Sequence, residues 1–151
     1  MSATREQIIE ELKVAYRMEL ETTLNYVANS INLDGIRAEE IKKALLADIT
    51  EELGHAQQLG NRIKTLGGTC PGSLGMKFGQ KHLQPPADTT DVIAVIKGVI
   101  EGEDAAVKQY DKLIRLCEGV DYVTQDLCIT LMGEEETHRR DFQGFLKEYT
   151  K

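Results

Sequence analysis

Residues 52–55 and 135–138 share the form Glu-x-x-His. The chain has three histidines, and these two segments contain two of them, His55 and His138. On a helix, this spacing places a carboxylate and an imidazole on adjacent turns of one face. Carboxylate oxygen and imidazole nitrogen are common ligands of divalent transition metals. The repeated motif therefore indicates a metal site, to which other segments must add ligands.

Two further carboxylates interrupt apolar stripes of helical spacing. Glu19 and Glu103 each fall where a core residue is expected, and each lies seven residues before a tyrosine, Tyr26 and Tyr110. Glu101 competes with Glu103, but Glu101 lies off the stripe and lacks this spacing. The tyrosine hydroxyls are expected either to hydrogen-bond the carboxylates or simply to pack in the core.

Four carboxylates in one apolar core need a counter-charge, because burial of an unpaired carboxylate is strongly unfavourable. Two divalent ions carry +4, which balances the -4 of the four glutamates. One Glu from each of two helices, with Glu-x-x-His from each of two others, resembles the di-iron or di-manganese site of ferritin-like bundles. A metal-free bundle with a hydrogen-bonded polar core is disfavoured, since it leaves these charges unbalanced.

Composition and periodicity predict an all-α fold. Hydrophobic residues make up 41% of the chain, and the three prolines lie outside the periodic segments. We expect four helices, at residues 4–30, 37–66, 90–117 and 121–148. Thr4 with Gln7 forms an expected capping box, and Asp121 is an expected N-cap.

The connections predict how these helices are arranged. The first and last connections are short, so helices 1 and 2, and helices 3 and 4, should be antiparallel neighbours. Residues 67–89 hold all three prolines and could extend roughly 70 Å, beyond the roughly 42 Å length of a 28-residue helix. The expected fold is a single domain over residues 1–151: a ferritin-like four-helix bundle of two hairpins joined by a long crossover between helices 2 and 3.

The two halves of the chain repeat each other. Glu19 to Glu103 and Tyr26 to Tyr110 are separated by 84 residues, whereas the two Glu-x-x-His motifs are separated by 83. We infer a pseudo-two-fold axis, with one motif for each metal. Glu51 and Glu134 are expected either to orient the histidine of the opposite motif or to be solvated surface acids. Gly54, Gly98, Gly102 and Gly133 indicate close helix approach or space for an oxidant.

Composition also excludes several classes of function. The formal charge is -7, with no basic run, so nucleic acid is not an expected partner. No apolar run is long enough for a membrane span. The three cysteines include no Cys-x-x-Cys, and no apolar segment opens the chain, so a reducing cytoplasmic location is expected.

Several segments together resemble the bacterioferritins and the bacterioferritin-like mini-ferritins across nearly the whole chain. They are Met18-Glu19-Leu20 with Tyr26, Glu52-Leu53-Gly54-His55-Ala56, Glu103 with Tyr110, Asp121-Tyr122-Val123, and Glu134-Glu135-Glu136-Thr137-His138. The resemblance implies a ferroxidase centre that binds two iron ions per subunit, with manganese also compatible. It implies Glu19, Glu52, His55, Glu103, Glu135 and His138 as the catalytic metal ligands.

The resemblance also implies partners and an assembly. The family oxidises ferrous iron with dioxygen or hydrogen peroxide, and stores the ferric mineral in a homo-oligomeric shell. Leu53 occupies the position where bacterioferritins carry the haem-ligating Met, so haem is not expected. The sequence ends soon after helix 4 without the short fifth helix of 24-subunit cages, which makes a twelve-subunit shell or a smaller oligomer an alternative.

Two enzymatic functions fit these residues. The first is a ferroxidase for iron storage and detoxification. The second is a peroxide-scavenging enzyme of rubrerythrin or manganese-catalase type, which would use the same ligands without storing mineral. Rubrerythrins usually carry a rubredoxin with paired Cys-x-x-Cys, which this sequence lacks, so this alternative needs an external electron donor.

Overall fold

The computed structural model describes residues 2–151, which form four long helices and no strand. The helices are α1 (Arg5–Asn32), α2 (Glu39–Thr65), α3 (Val92–Cys117) and α4 (Tyr122–Tyr149), and short 3-10 turns lie at Ile36–Ala38 and Ser73–Gly75. α1 packs against α2 and α3 against α4, and the two hairpins meet mainly through α1 and α3. The predicted all-α bundle of two hairpins joined by a crossover is therefore confirmed.

Side-chain caps define three helix starts. Thr4 Oγ1 accepts a hydrogen bond from Gln7 N at 3.1 Å, and Thr4 N donates to Gln7 Oε1 at 2.8 Å, which completes the predicted capping box. Asp121 caps α4 as predicted, by accepting from Thr124 N at 3.0 Å. Asp91 caps α3 in the same way, through Ala94 N.

α2 begins later than its sequence pattern predicts. Residues 36–38 form a 3-10 turn, so the α-helix starts at Glu39 and not at Arg37. The turn follows Gly35, whose φ of 97° is readily adopted only by glycine. The far end of α2 agrees with the prediction, because Gly67 has a φ of 94° and Gly68 N donates to Ile63 O.

Two apolar clusters form the core, one towards each end of the bundle. One contains Tyr26, Leu33, Ala38, Ile41, Leu45, Leu83, Val92, Val95, Ile96, Val99 and Phe142. The other contains Ile8, Leu12, Ala15, Leu59, Ile63, Tyr110, Leu113, Cys117, Cys128 and Leu131. Along α1, Glu19 lies between the residues of the second cluster and those of the first. The four glutamates and two histidines predicted to bind metal therefore occupy a band between two apolar layers.

Two helix-interior glycines allow the crossover to approach α3 closely. A Cβ at Gly98 would lie 3.0 Å from Leu83 N, and a Cβ at Gly102 would lie 3.1 Å from Leu83 Cδ1. Gly54 and Gly133 have no atom within 4 Å of the corresponding position. Close approach thus accounts for the α3 pair, where the approaching element is the crossover and not another helix.

Across residues 2–151, no helix combines the length and the apolarity needed to span a membrane.

Candidate metal centre

All six residues predicted to hold metal are buried near the middle of their helices. Their exposed fractions are 5% or less: Glu19 2%, Glu52 1%, His55 2%, Glu103 1%, Glu135 0% and His138 5%. Glu101, the competing candidate on α3, is exposed. The apolar stripes explain this burial, because each glutamate shares its helix face with core residues. The third histidine, His82, lies in the crossover and belongs to neither of the groups described next.

The six side chains form two overlapping groups whose candidate ligand atoms lie within 4.8 Å of one another. One group is Glu19, Glu52, His55 and Glu135, and the other is Glu52, Glu103, Glu135 and His138. Glu52 and Glu135 belong to both groups. Each group therefore has one histidine, one unshared glutamate and two shared glutamates. The sequence predicted one motif for each metal but did not distinguish shared from unshared carboxylates.

Each histidine directs Nδ1 towards the carboxylates of the centre. His55 Nδ1 lies 2.7 Å from Glu135 Oε1 and 3.4 Å from Glu19 Oε2. His138 Nδ1 lies 3.0 Å from Glu52 Oε1. Each histidine therefore pairs with the glutamate of the opposite motif, and Nδ1 is the atom available to a metal.

The other nitrogen of each ring is held by the carboxylate that immediately precedes the opposite motif. His55 Nε2 donates to Glu134 Oε2 at 2.5 Å, and His138 Nε2 donates to Glu51 Oε2. Both acids contact a histidine, as the orienting role requires, and both also remain solvated, with side chains 57% exposed for Glu51 and 49% for Glu134. A metal-binding histidine usually donates its second N–H to such a partner, which fixes the ring and makes the ligand nitrogen more basic.

The two tyrosines donate hydrogen bonds to the unshared glutamates. Tyr26 Oη donates to Glu103 Oε1, and Tyr110 Oη donates to Glu19 Oε1, both at 2.7 Å. Both bonds cross between α1 and α3. Each occupies one oxygen of a carboxylate and leaves the other free for a ligand.

The remaining oxygens fit a pair of metal ions. Glu19 Oε2, Glu103 Oε2 and Glu135 Oε2 are buried and have no hydrogen-bond partner among the described residues. Buried carboxylate oxygens are seldom left without partners, because the loss of hydration is unfavourable. Here they belong to the two groups that also present histidine nitrogen. This oxygen-rich donor set with imidazole suits iron or manganese.

The electrostatics of the centre without metal reflect this crowding of charge. Burial raises the pKa of Glu52 and Glu103, and neighbouring carboxylates raise it further. Burial acts in the opposite direction on His55, but the carboxylates of Glu135 and Glu19 raise its pKa to about 11. For His138, the carboxylates of Glu135 and Asp48 likewise outweigh burial and raise its pKa to about 9. Protons thus supply part of the positive charge that the carboxylates require.

A cavity of about 480 Å³ opens beside the centre between α2 and α4. Its lining includes both histidines and four acids, Asp48, Glu51, Glu134 and Asp141. Burial raises the pKa of Asp48 to about 6, although His138 opposes the shift. Asp48 precedes Glu52 by four residues and so shares its face of α2, but it lies outside the Glu-x-x-His motif. Its counterpart one repeat later, 83 residues on, is the apolar Leu131, so the repeat offered no signal for it.

Comparison with known proteins identifies the family. The model of the ferritin-like domain matches residues 9–151. The chain is 27% identical over 133 residues to the bacterioferritin of Desulfovibrio desulfuricans, covering 87% of this chain and 70% of that protein. It is also 27% identical over 145 residues to the DNA protection during starvation protein of Pyrococcus furiosus, covering 93% and 77%.

A solved structure shows the same fold. The dodecameric thioferritin of Bacteroides fragilis, a bacterioferritin-related protein, superposes with a TM-score of 0.84 at 22% identity, covering 99% of this chain and 89% of that one. At this identity the likeness concerns the fold. Together with the match over residues 9–151, it shows that the chain belongs to the ferritin-like family.

Proposed function

We propose that this protein is a ferroxidase that oxidises Fe(II) to Fe(III) at a dinuclear centre within each subunit, for iron storage and detoxification. The observation that carries the proposal is the pair of overlapping groups, which share Glu52 and Glu135 and contain three buried carboxylate oxygens without partners. Two ferrous ions supply the positive charge that these oxygens lack. Manganese is compatible with the same ligands.

Each iron would have its own set of residues. One ion would be held by Glu19 and His55, the other by Glu103 and His138, and the two shared glutamates would bridge them. His55 and His138 would bind through Nδ1, because Nε2 is already held by Glu134 and Glu51. Tyr26 and Tyr110 would fix the orientation of the unshared carboxylates.

Bound as a pair, two ferrous ions can together donate two electrons to one molecule of dioxygen or hydrogen peroxide. The protein's part is to bind the ions side by side and to exclude bulk water, since the ligands are at most 5% exposed. Its carboxylates favour the ferric state through their negative charge. Leu53 offers no ligand atom, so the proposal includes no haem.

We also propose that the chain, acting as one domain, assembles into a homo-oligomeric shell in the cytoplasm. Several large apolar side chains are exposed, including Ile31 at 72%, Ile36 at 92% and Leu74 at 103%. Exposed apolar surface of this kind often marks subunit contacts. The thioferritin of the same fold is dodecameric, which supports a shell of that type.

The test combines elemental analysis with mass in solution. Fe(II) is added anaerobically to the purified protein, the bound iron is counted, and dioxygen or hydrogen peroxide is then supplied in separate samples. We expect two ions per chain, two irons oxidised per oxidant molecule, and further uptake into a closed assembly. A protein that binds no iron contradicts the proposal.

The same experiment separates storage from peroxide scavenging. A small oligomer that binds two ions per chain, consumes peroxide faster than dioxygen and never takes up more iron would favour the rubrerythrin-like or manganese-catalase-like function. Loading with Mn(II) in parallel identifies which metal supports turnover. Continued iron uptake beyond the dinuclear sites favours storage.

A further inference from the structure

Part of the crossover lies over the seam between α1 and α3. We call residues 79–83 the crossover plug. Its last residue, Leu83, is 3% exposed and lies against Gly98 of α3, and Leu83 O accepts a hydrogen bond from Asn29 Nδ2 of α1 at 2.8 Å. One short segment therefore contacts both helices that carry the unshared glutamates.

A buried glutamate anchors the start of the crossover plug. Glu21 is 4% exposed, and its Oε2 accepts hydrogen bonds from Gly79 N at 2.7 Å and Gln80 N at 2.5 Å. Its Oε1 lies 3.8 Å from Arg17 Nη1. The charge of Glu21 is therefore compensated locally by two backbone N–H groups and one guanidinium.

The side chain of Gln80 enters the seam itself. Its Oε1 accepts from Asn25 Nδ2 at 2.6 Å, and its Nε2 donates to Thr22 Oγ1 at 3.0 Å. On the α3 side, Nε2 lies 3.8 Å from the position of a Cβ on Gly102. Thr22 lies one helical turn after Glu19, and Gly102 immediately precedes Glu103. The amide thus lies between α1 and α3, against the helical turns that carry Glu19 and Glu103.

The two sides of the centre differ in charge and in openness. Between α2 and α4, an open cavity of about 480 Å³ is lined by four acids. Between α1 and α3, the seam is filled by a neutral amide whose oxygen and nitrogen are both hydrogen-bonded to α1. A ferrous ion is attracted to the acidic side, while the amide presents no net charge and no free oxygen.

We propose that Gln80 closes the α1–α3 side of the dinuclear centre to metal ions, so that ions load and leave through the cavity between α2 and α4. This inference rests on the proposed function, because it concerns access to the same centre. The crossover thereby acts as a seal. The long segment between the hairpins connects them and also limits the centre to one route for ions.

The first test measures how fast metal leaves the full-length protein. The chain is loaded with Co(II), which air oxidises more slowly than Fe(II), and the loss of its absorption is followed after an excess of chelator is added. Gln80→Ala removes two hydrogen bonds made only when the crossover plug is closed, so we expect release to accelerate about tenfold. Lys81→Ala, an exposed neighbour on the same segment, is the matched control.

Two further variants loosen the plug without changing Gln80. Glu21→Gln removes the charge that anchors Gly79 N and Gln80 N, and Gly98→Ala places a methyl group 3.0 Å from the backbone N of Leu83. Both variants should accelerate the release of Co(II). The double variant Glu21→Gln with Gln80→Ala should release Co(II) only slightly faster than either single variant. Hydrogen exchange of the amides at residues 79–83 should increase in Glu21→Gln, even without metal.

The outcomes separate this inference from the proposed function. One outcome is that the unaltered protein retains Co(II) while Gln80→Ala releases it at the same rate as Lys81→Ala. In that case Gln80 does not close the α1–α3 side, and the ferroxidase proposal stands. The seal is equally wrong if Gln80→Ala lowers the melting temperature but leaves release unchanged, since Gln80 is then only structural. If the unaltered protein binds neither Co(II) nor Fe(II), both proposals fail.

Discussion

Tyr26 on α1 and Glu103 on α3 are joined by a hydrogen bond of 2.7 Å that crosses the middle of the bundle. Tyr110 on α3 and Glu19 on α1 form the reciprocal bond, also at 2.7 Å. Each tyrosine therefore holds the unshared carboxylate carried by the other helix. The pair explains why a seven-residue spacing between Glu and Tyr occurs in both halves of the sequence: the two bonds are related by the pseudo-two-fold axis.

Loss of one tyrosine hydroxyl should weaken metal binding. Tyr26→Phe leaves Glu103 Oε1 without its donor, so the carboxylate is no longer held in position. We expect metal affinity to fall by about 10- to 100-fold, as is typical when a group that orients a ligand is removed. Titration with Zn(II) measures this without redox chemistry. Tyr149→Phe, at the end of α4, is the control, and equal affinities for Tyr26→Phe and the unaltered protein would contradict the assignment.

Shared and unshared carboxylates should behave differently when they are neutralised. Glu52 belongs to both groups and Glu19 to only one. We therefore expect Glu52→Gln to weaken the binding of both ions, whereas Glu19→Gln should weaken mainly the ion beside His55. Elemental analysis and calorimetric titration distinguish the two patterns. Glu101→Gln changes an exposed acid on α3 and should leave both ions bound. If the Glu19 and Glu52 variants lose the same amount of bound metal, Glu52 is not shared between the two ions.

Metal binding should release protons. The pKa values of His55 and His138, about 11 and about 9, mean that both rings are protonated near neutral pH without metal. A metal at Nδ1 replaces one proton on each ring, so we expect about two protons per chain from the histidines. An indicator dye in weak buffer measures the release on addition of Zn(II). His82→Asn should not alter it, and a titration that releases no protons would argue against binding at these rings.

The stability of the metal-free protein should fall as pH rises. Folding raises the pKa of both histidines above the ordinary value of 6.5, so the stability that they contribute is fully present below that pH. It is lost as pH passes about 9 for His138 and about 11 for His55. We expect the melting temperature to decrease between about pH 7 and about pH 10. Bound metal requires deprotonated ligands, so the gap between loaded and metal-free melting temperatures should widen over the same range.

The acidic mouth of the cavity should speed the arrival of cations. Asp48 lies 3.7 Å from His138 Nε2 and lines the opening. Asp48→Asn should slow the uptake of Fe(II) by about three- to tenfold at low ionic strength, and the difference should shrink in high salt. Stopped-flow measurements at two salt concentrations test this. Asp126→Asn, an exposed acid of α4 outside the cavity lining, should leave the rate unchanged.

Much of the centre could be predicted because burial of a charge is unusual. Glu19, Glu103 and both Glu-x-x-His motifs stand out against apolar stripes. Helical spacing then predicts which side of each helix they occupy and where they lie along the bundle axis. Spacing does not give the rotation of a side chain about its own bonds. For this reason the sequence could not show that Glu52 and Glu135 are shared, or that Glu51 and Glu134 contact the histidines.

The crossover was the least predictable part of the fold. The apolar residues of the segment 67–89 do not recur at helical spacing, so nothing in the sequence indicates which helix the segment contacts. The contacts of Gln80 and Leu83 depend on space left by Gly98 and Gly102, more than ten residues further along the chain. The sequence singled out these glycines but left two explanations open, close helix approach and space for an oxidant. Only the packed structure relates them to the crossover.

The distribution of the two groups between the hairpins has a consequence for how the protein matures. The first hairpin supplies three members of one group and the second hairpin three of the other, and each group takes its fourth member from the opposite hairpin. During synthesis, α1 and α2 leave the ribosome before Glu135 exists, so the emerging chain cannot capture an ion pair. Under the proposed function, the ion pair would be held only after the halves dock, and its binding free energy would then oppose their separation.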